Sequence, residues 1–124
     1  MTADLIIIDD QISTPTLIRV VLERVYNMAP GAIHIENNPV HGLAWIQANI
    51  PQMVICDTSM PGLHGIDVLQ AMRADPTTAH IPFILMGVDI VDFKAHHIKA
   101  DGYLQQPISI PNLIQVIETI MYGP

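Results

Sequence analysis

Hydrophobic positions along the chain fall into five short runs, which are separated by longer segments of mixed hydrophobic and polar residues. The runs are LIII at 5–8, AIHI at 32–35, MVIC at 53–56, FILM at 83–86 and GYL at 102–104. Each run is short and almost continuously apolar, which is typical of a strand buried on both faces of a sheet. The pattern therefore predicts five β-strands.

The segments between and after the runs are predicted to be helices, because their hydrophobic residues recur at helical spacing. Thr14 is the predicted N-cap of the first helix, with Pro15 in its first turn; Asn38 and Pro39 have the same roles in the second. The third helix is predicted over about Ile66 to Ala74, the fourth near Asp89 to His97, and the last begins around Ser109 to Pro111. Strands and helices therefore alternate along the chain.

This alternation predicts an α/β fold in a single domain, residues 1–124. We expect a flavodoxin-like, doubly wound parallel sheet of five strands in the order 2-1-3-4-5, with helices on both faces. Ligands of such sheets bind beyond the carboxyl ends of the strands, where the strand order reverses. Asp9 and Asp10 follow the first run and Asp57 follows the third. These three carboxylates are therefore predicted to meet at one site.

Three carboxylates at one site repel one another. Two charges about 4 Å apart at an effective dielectric constant near 20 interact by about 4 kcal/mol, so the site should hold a proton or bind a metal ion. Carboxylate and carbonyl oxygens suit Mg²⁺. The alternative is that Asp9 or Asp10 only caps the following helix and Asp57 only begins a turn.

Composition excludes several classes of function. With 5 Lys and Arg and a net charge of −7, the chain lacks the basic surface expected for direct nucleic-acid binding. No apolar run approaches the roughly 20 residues of a membrane span, and LIII is too short for a signal peptide, so we expect a cytoplasmic protein. The scattered histidines do not suggest a metal site, and Cys56, inside a strand run, is predicted to be a buried thiol.

Three motifs resemble those of one known family. They are IIIDD at 6–10, DTSMPGLHG at 57–65 and KADGYLQQP at 99–107. Over essentially its whole length the chain resembles the receiver domain of two-component response regulators. The resemblance implies that Asp57 is a phosphoryl acceptor rather than part of a substrate-converting enzyme. It also implies that Asp10, Asp57, the backbone carbonyl of Ser59 and, through water, Asp9 hold Mg²⁺.

Two positions depart from the family pattern. Gly87 stands where the family has Thr or Ser, and Gln106 stands where it has Lys. Tyr103 occupies the position of the family's mobile aromatic switch residue, and the glycine is expected to leave it room to turn inward. Arg and Lys residues elsewhere fall in or near helical segments, so none is expected to replace the missing lysine. The resemblance further implies a cis peptide bond between Gln106 and Pro107.

Two functions remain open. The first is a receiver that binds Mg²⁺ and accepts phosphoryl on Asp57 from a sensor histidine kinase or a phosphotransfer protein, with a degraded switch. The alternative is a phosphorylation-independent pseudo-receiver that acts as a protein–protein interaction module. In the family, the fourth helix, fifth strand and last helix form the usual surface for a homodimer or an output partner, and the last helix here is strongly apolar. The chain lacks the second carboxylate that an aspartate-nucleophile phosphatase has two residues after its nucleophile, here Asp57. It also lacks the glycine-rich turn of a dinucleotide-binding fold.

Overall fold

Five parallel strands form one sheet in the order β2-β1-β3-β4-β5, which confirms the predicted architecture. The structure is a computed structural model that describes residues 4–91 and 99–123. The strands are β1 (Leu5–Ile8), β2 (Ile33–Glu36), β3 (Met53–Asp57), β4 (Phe83–Gly87) and β5 (Gly102–Gln105). Their bounds agree with the predicted runs to within one residue at each end, because the apolar runs are what the sheet buries.

The two edge strands correct one expectation. Every residue of β1, β3 and β4 is buried, but β2 and β5 are only partly buried. An edge strand has a neighbour on one side only, so its side chains receive less cover than those of a central strand. The prediction that all five strands are buried on both faces is therefore wrong for β2 and β5.

Four helices are described: α1 (Ser13–Val25), α2 (Pro39–Asn49), α3 (Gly65–Ala74) and α4 (Ile110–Tyr122). The helix predicted near Asp89 to His97 lies mostly outside the described residues. Asn38 caps α2 as predicted, since its Oδ1 accepts hydrogen bonds from the N–H groups of Val40 and His41 at 2.9 and 3.1 Å. No described helix is long and apolar enough to cross a membrane.

The predicted start of α1 is wrong. The N-cap residue is Ile12, which has no capping side chain, and Thr14 is already inside the first turn. Pro15 is tolerated there because the first four N–H groups of a helix have no partner within the helix, so the missing proline N–H costs nothing. The hydroxyl that does bond at this end belongs to Thr16, which donates to the Ile12 carbonyl at 2.7 Å.

The sheet separates two hydrophobic cores. Successive strand residues face opposite sides, so Ile7 packs in the core beneath α1 and α4, and Ile8 in the core beneath α2 and α3. Helix α4 buries Leu113 and Ile117 and leaves other apolar residues exposed, among them Met121 and Tyr122, which are 51% and 72% exposed. The two cores hold β1 and β3 firmly side by side, and these are the strands that carry the predicted site.

Candidate functional site

The three predicted carboxylates lie together at the carboxyl edge of the sheet. Asp9, Asp10 and Asp57 each present one oxygen, and these oxygens lie within 4.8 Å of one another. The register explains the meeting, because Ile8 pairs with Cys56 in the parallel strands β1 and β3, so both strands end at the same level. The arrangement confirms that the carboxylates meet.

Asp9 is the most deeply buried of the three, with 0% of its surface exposed. Its Oδ1 accepts a hydrogen bond from the N–H of Gln11 at 2.9 Å, whereas its Oδ2 is buried with no hydrogen-bond partner among the described residues. The pKa of Asp9 is raised to about 6, chiefly by burial; the Gln11 N–H lowers it and the carboxylates of Asp57 and Asp10 raise it. A buried carboxylate oxygen without a partner is costly. It is therefore a suitable ligand for a cation.

Asp57 ends β3 and keeps 8% of its surface exposed. Burial raises its pKa, the backbone N–H groups of Ser59 and Thr58 lower it, and the charge of Asp10 raises it again. The N–H groups thus favour the ionised carboxylate, which is the form that can act as a nucleophile or a metal ligand. Ser59 lies in the exposed loop two residues further on. Its backbone carbonyl remains a predicted ligand.

The loop after Asp57 needs glycine at position 65. A Cβ atom there would lie 2.2 Å from the carbonyl oxygen of Asp57, far inside van der Waals contact with the backbone. The Gly65 N–H also donates to the Thr58 carbonyl at 3.1 Å, which closes the loop back onto the end of β3. Helix α3 begins at once, with the His64 N–H donating to the Asp67 carboxylate at 3.0 Å. The final glycine of DTSMPGLHG is therefore explained by this close approach.

Gly87 ends β4, and the space beside it is filled by Thr58. A Cβ atom on residue 87 would lie 2.4 Å from the Thr58 Oγ1 and 3.3 Å from its methyl carbon. Thr58 therefore occupies the space that a side chain at position 87 would need. Sequence reasoning missed Thr58; the signal was a hydroxyl residue directly after Asp57, but only the pairing of β3 with β4 places it opposite Gly87.

The other switch positions lie on and after β5. The Tyr103 hydroxyl accepts a hydrogen bond from the Ala100 N–H at 2.9 Å, and its ring packs partly buried against the α2–α3 core. Gln106 donates its backbone N–H to the Gly87 carbonyl at 2.8 Å, and its bond to Pro107 is cis, as predicted.

Gln105, which the sequence did not single out, connects β5 to the loop after β4. Its side-chain amide donates to the Val88 carbonyl and accepts from the Ile90 N–H. A polar residue after a strand gave only a weak signal for this contact.

Basic residues make no ion pair with the three carboxylates within residues 4–91 and 99–123. Arg73 lies at the opposite edge of the sheet, where it donates to the carbonyls of Ala79 and Ile81 and pairs with Asp101 at 2.7 Å. Arg19 is nearer, since it lines a cavity of about 340 Å³ together with Asp9. Arg19 therefore lies in the surroundings of the site, although it makes no ion pair with the carboxylates in the described part of the chain.

Comparison with known proteins identifies the class. The family model described as "Response regulator receiver domain" matches residues 5–118. The chain belongs to this family, and it is a receiver domain of two-component signalling, as the motifs implied.

Individual relatives agree with this assignment. The response regulator PleD of Caulobacter vibrioides is 28% identical over 113 residues, which are 87% of this chain and 24% of PleD. The chain thus spans about a quarter of the length of PleD. The chemotaxis response regulator CheY4 of Vibrio cholerae shares the fold with a TM-score of 0.82 and 19% identity, over 98% of this chain and 100% of CheY4. The receiver domain of the sensor histidine kinase PA1611 of Pseudomonas aeruginosa, solved with a magnesium ion in its active-site cleft, has a TM-score of 0.79 and 14% identity over 95% of this chain and 96% of that domain.

Proposed function

We propose that this receiver domain binds Mg²⁺ and accepts a phosphoryl group on Asp57 from the phosphohistidine of a sensor kinase or a phosphotransfer protein. One observation carries the proposal: three carboxylate oxygens lie within 4.8 Å of one another, and the buried Oδ2 of Asp9 has no partner among the described residues. Asp9, Asp10, Asp57 and the Ser59 carbonyl would hold the ion. Their oxygen-only donor set fits Mg²⁺.

The chemistry requires one displacement at phosphorus. A carboxylate oxygen of Asp57 forms a bond to the phosphorus atom while the bond from phosphorus to the donor's imidazole nitrogen breaks, and the electron pair of that bond leaves with the nitrogen. The product on this chain is an acyl phosphate. Bound Mg²⁺ supplies neutralisation of charge on the transferring group. Burial raises the pKa of Asp57, and the N–H groups of Ser59 and Thr58 oppose that rise and so favour the ionised form; its residual exposure leaves it open to a donor from solvent.

We expect phosphorylation to cause only a weak conformational response, because Gly87 and Gln106 replace the family's Thr or Ser and Lys. Gln106 can donate a hydrogen bond to a phosphoryl oxygen, but a neutral amide forms a weaker bond than an ammonium group would. The chain would then act as an acceptor with a degraded switch, and not as an enzyme that converts a separate substrate.

The second candidate is a phosphorylation-independent interaction module. It is favoured by helix α4, where Ile110, Met121 and Tyr122 are 44%, 51% and 72% exposed. These exposed apolar side chains lie at both ends of one helix and offer contacts to a partner. A second copy of the chain or an output partner would bind there whether or not Asp57 is modified.

Incubation with a small phosphodonor and Mg²⁺, followed by intact-mass measurement, separates the two candidates. We expect a mass increase of one phosphoryl group that requires Mg²⁺ and is lost in Asp57→Asn. Asp4→Asn is a matched control, because it removes one carboxylate from the exposed position just before β1, at the opposite end of that strand from the site. The absence of an adduct in the wild type, with partner binding retained, would favour the interaction module.

A further inference from the structure

We propose that the Thr58 hydroxyl is the group that binds a phosphoryl oxygen on Asp57, and that Gly87 is required because it makes room for the Thr58 side chain. This inference rests on the proposed function and names a residue that contributes to it. The missing hydroxyl at position 87 would then be replaced by one from the residue that follows the neighbouring strand β3.

The contact between Thr58 and Gly87 is the first observation. The Thr58 Oγ1, Cγ2 and Cβ lie 2.4, 3.3 and 3.4 Å from the position that a Cβ atom of residue 87 would take. Both branches of the threonine therefore occupy the space that a side chain at position 87 would need. No side chain at position 87 fits while Thr58 keeps this conformation, so the two residues form one steric unit.

The backbone of Thr58 is held on both sides. Its N–H donates to the Met86 carbonyl at 2.8 Å, and its carbonyl accepts the Gly65 N–H at 3.1 Å. A β-branched side chain on a fixed backbone has few χ1 choices, so the hydroxyl has a defined position before any ligand binds. Such preorganisation is what a group that stabilises a bound anion needs.

The Thr58 hydroxyl also has donor capacity to spare. Within the described part of the chain its hydroxyl makes no hydrogen bond to another residue. Thr58 is 8% exposed, as is Asp57, and it follows Asp57 directly at the carboxyl end of β3. A phosphoryl group on Asp57 adds oxygen acceptors at this edge, and the two remaining carboxylates, those of Asp9 and Asp10, offer no donor when ionised.

The test compares two variants, each of which removes one of the two groups on the Thr58 Cβ atom. Thr58→Val keeps the shape and removes the hydroxyl, whereas Thr58→Ser keeps the hydroxyl and removes the methyl group. The affinity for beryllofluoride, a phosphoryl mimic, is measured by fluorine NMR at saturating Mg²⁺, and the affinity for Mg²⁺ alone is measured separately. We expect Thr58→Val to weaken mimic binding by about tenfold or more with Mg²⁺ affinity unchanged, and Thr58→Ser to remain near the wild type.

Each outcome has a distinct meaning. Wild-type protein that binds Mg²⁺ but not the mimic would overturn the proposed function, and with it this inference. If the wild type binds the mimic and Thr58→Val binds it equally well, the proposed function stands and the role of Thr58 is wrong, because the threonine then only fills space.

A second set of variants tests the steric unit without metal or ligand. In the metal-free protein, Gly87→Ala should lower the melting temperature when Thr58 is present. The loss should be smaller in the Thr58→Ala background, where the clashing Oγ1 is gone. An equal loss in both backgrounds would contradict the proposed dependence of Gly87 on Thr58.

Discussion

Replacing Asp9 by asparagine should stabilise the metal-free protein at neutral pH. Asp9 is fully buried, and its pKa is raised from 3.8 to about 6, chiefly by burial. A shift of about two units corresponds to about 3 kcal/mol of free energy lost when the carboxylate ionises in the native state. Asparagine has nearly the same shape, and its oxygen can still accept the Gln11 N–H. Removing the charge should therefore recover up to about 3 kcal/mol of the free energy of unfolding.

The sign of the pH dependence follows from the direction of the shift. The native state holds the Asp9 proton more tightly than the unfolded chain, so the free energy of unfolding falls as the pH rises from about 4 and levels off above about 6. The advantage of Asp9→Asn over the wild type should therefore grow with pH, by about 1.4 kcal/mol between pH 5 and pH 7.5.

Urea unfolding in the presence of a chelator measures both effects. Asp4→Asn is the matched control, because it removes the same charge from an exposed position. Added Mg²⁺ should stabilise the wild type and the Asp4→Asn control, by about 1.4 kcal/mol at ten times the dissociation constant, and should have little effect on Asp9→Asn. If Asp9→Asn is no more stable than the control at pH 7.5, the proposal that the buried Asp9 carboxylate destabilises the metal-free protein is refuted.

Three further substitutions test other parts of the structure by urea unfolding. Gly65→Ala should destabilise the protein by about 1 to 3 kcal/mol, because its Cβ would lie 2.2 Å from the carbonyl oxygen of Asp57; an unchanged midpoint would mean that the loop can relax. Arg73→Met removes one ion pair and two hydrogen bonds to backbone carbonyls and should cost about 1 to 3 kcal/mol, with the response to Mg²⁺ preserved. Asn38→Ala should cost about 1 kcal/mol through the lost cap of α2, whereas Asn37→Ala, at the exposed neighbour, should cost little; equal effects would contradict the capping role.

Local sequence patterns were sufficient to predict the features that depend on neighbours along the chain. The strands follow the apolar runs because a sheet covered on both faces selects continuous hydrophobic residues. Asn38 could be identified as a cap because its partners lie two and three residues further on. The start of α1 could not be predicted, since Ile12 caps without a side-chain bond and the neighbouring Ser13, Thr14 and Thr16 offer competing signals.

The meeting of Asp9, Asp10 and Asp57 was predictable because it depends on topology alone. Parallel strands that lie side by side bring their carboxyl ends to one edge, whatever the details of packing. The sequence did not predict which of Asp9 and Asp10 is the more deeply buried, because the two residues are adjacent and identical. Their burial differs because the Asp9 side chain lies inside the protein, whereas the Asp10 side chain lies nearer to solvent.

The sequence by itself therefore determined the fold class, the strand order and the carboxylate cluster of this receiver domain. Only the tertiary structure decided that Thr58 fills the space beside Gly87 and that Asp9 carries the unpartnered oxygen. The physical reason is the same in both cases. Steric contact and desolvation depend on atoms brought together from distant parts of the chain, and no periodicity or local motif records which atoms those are.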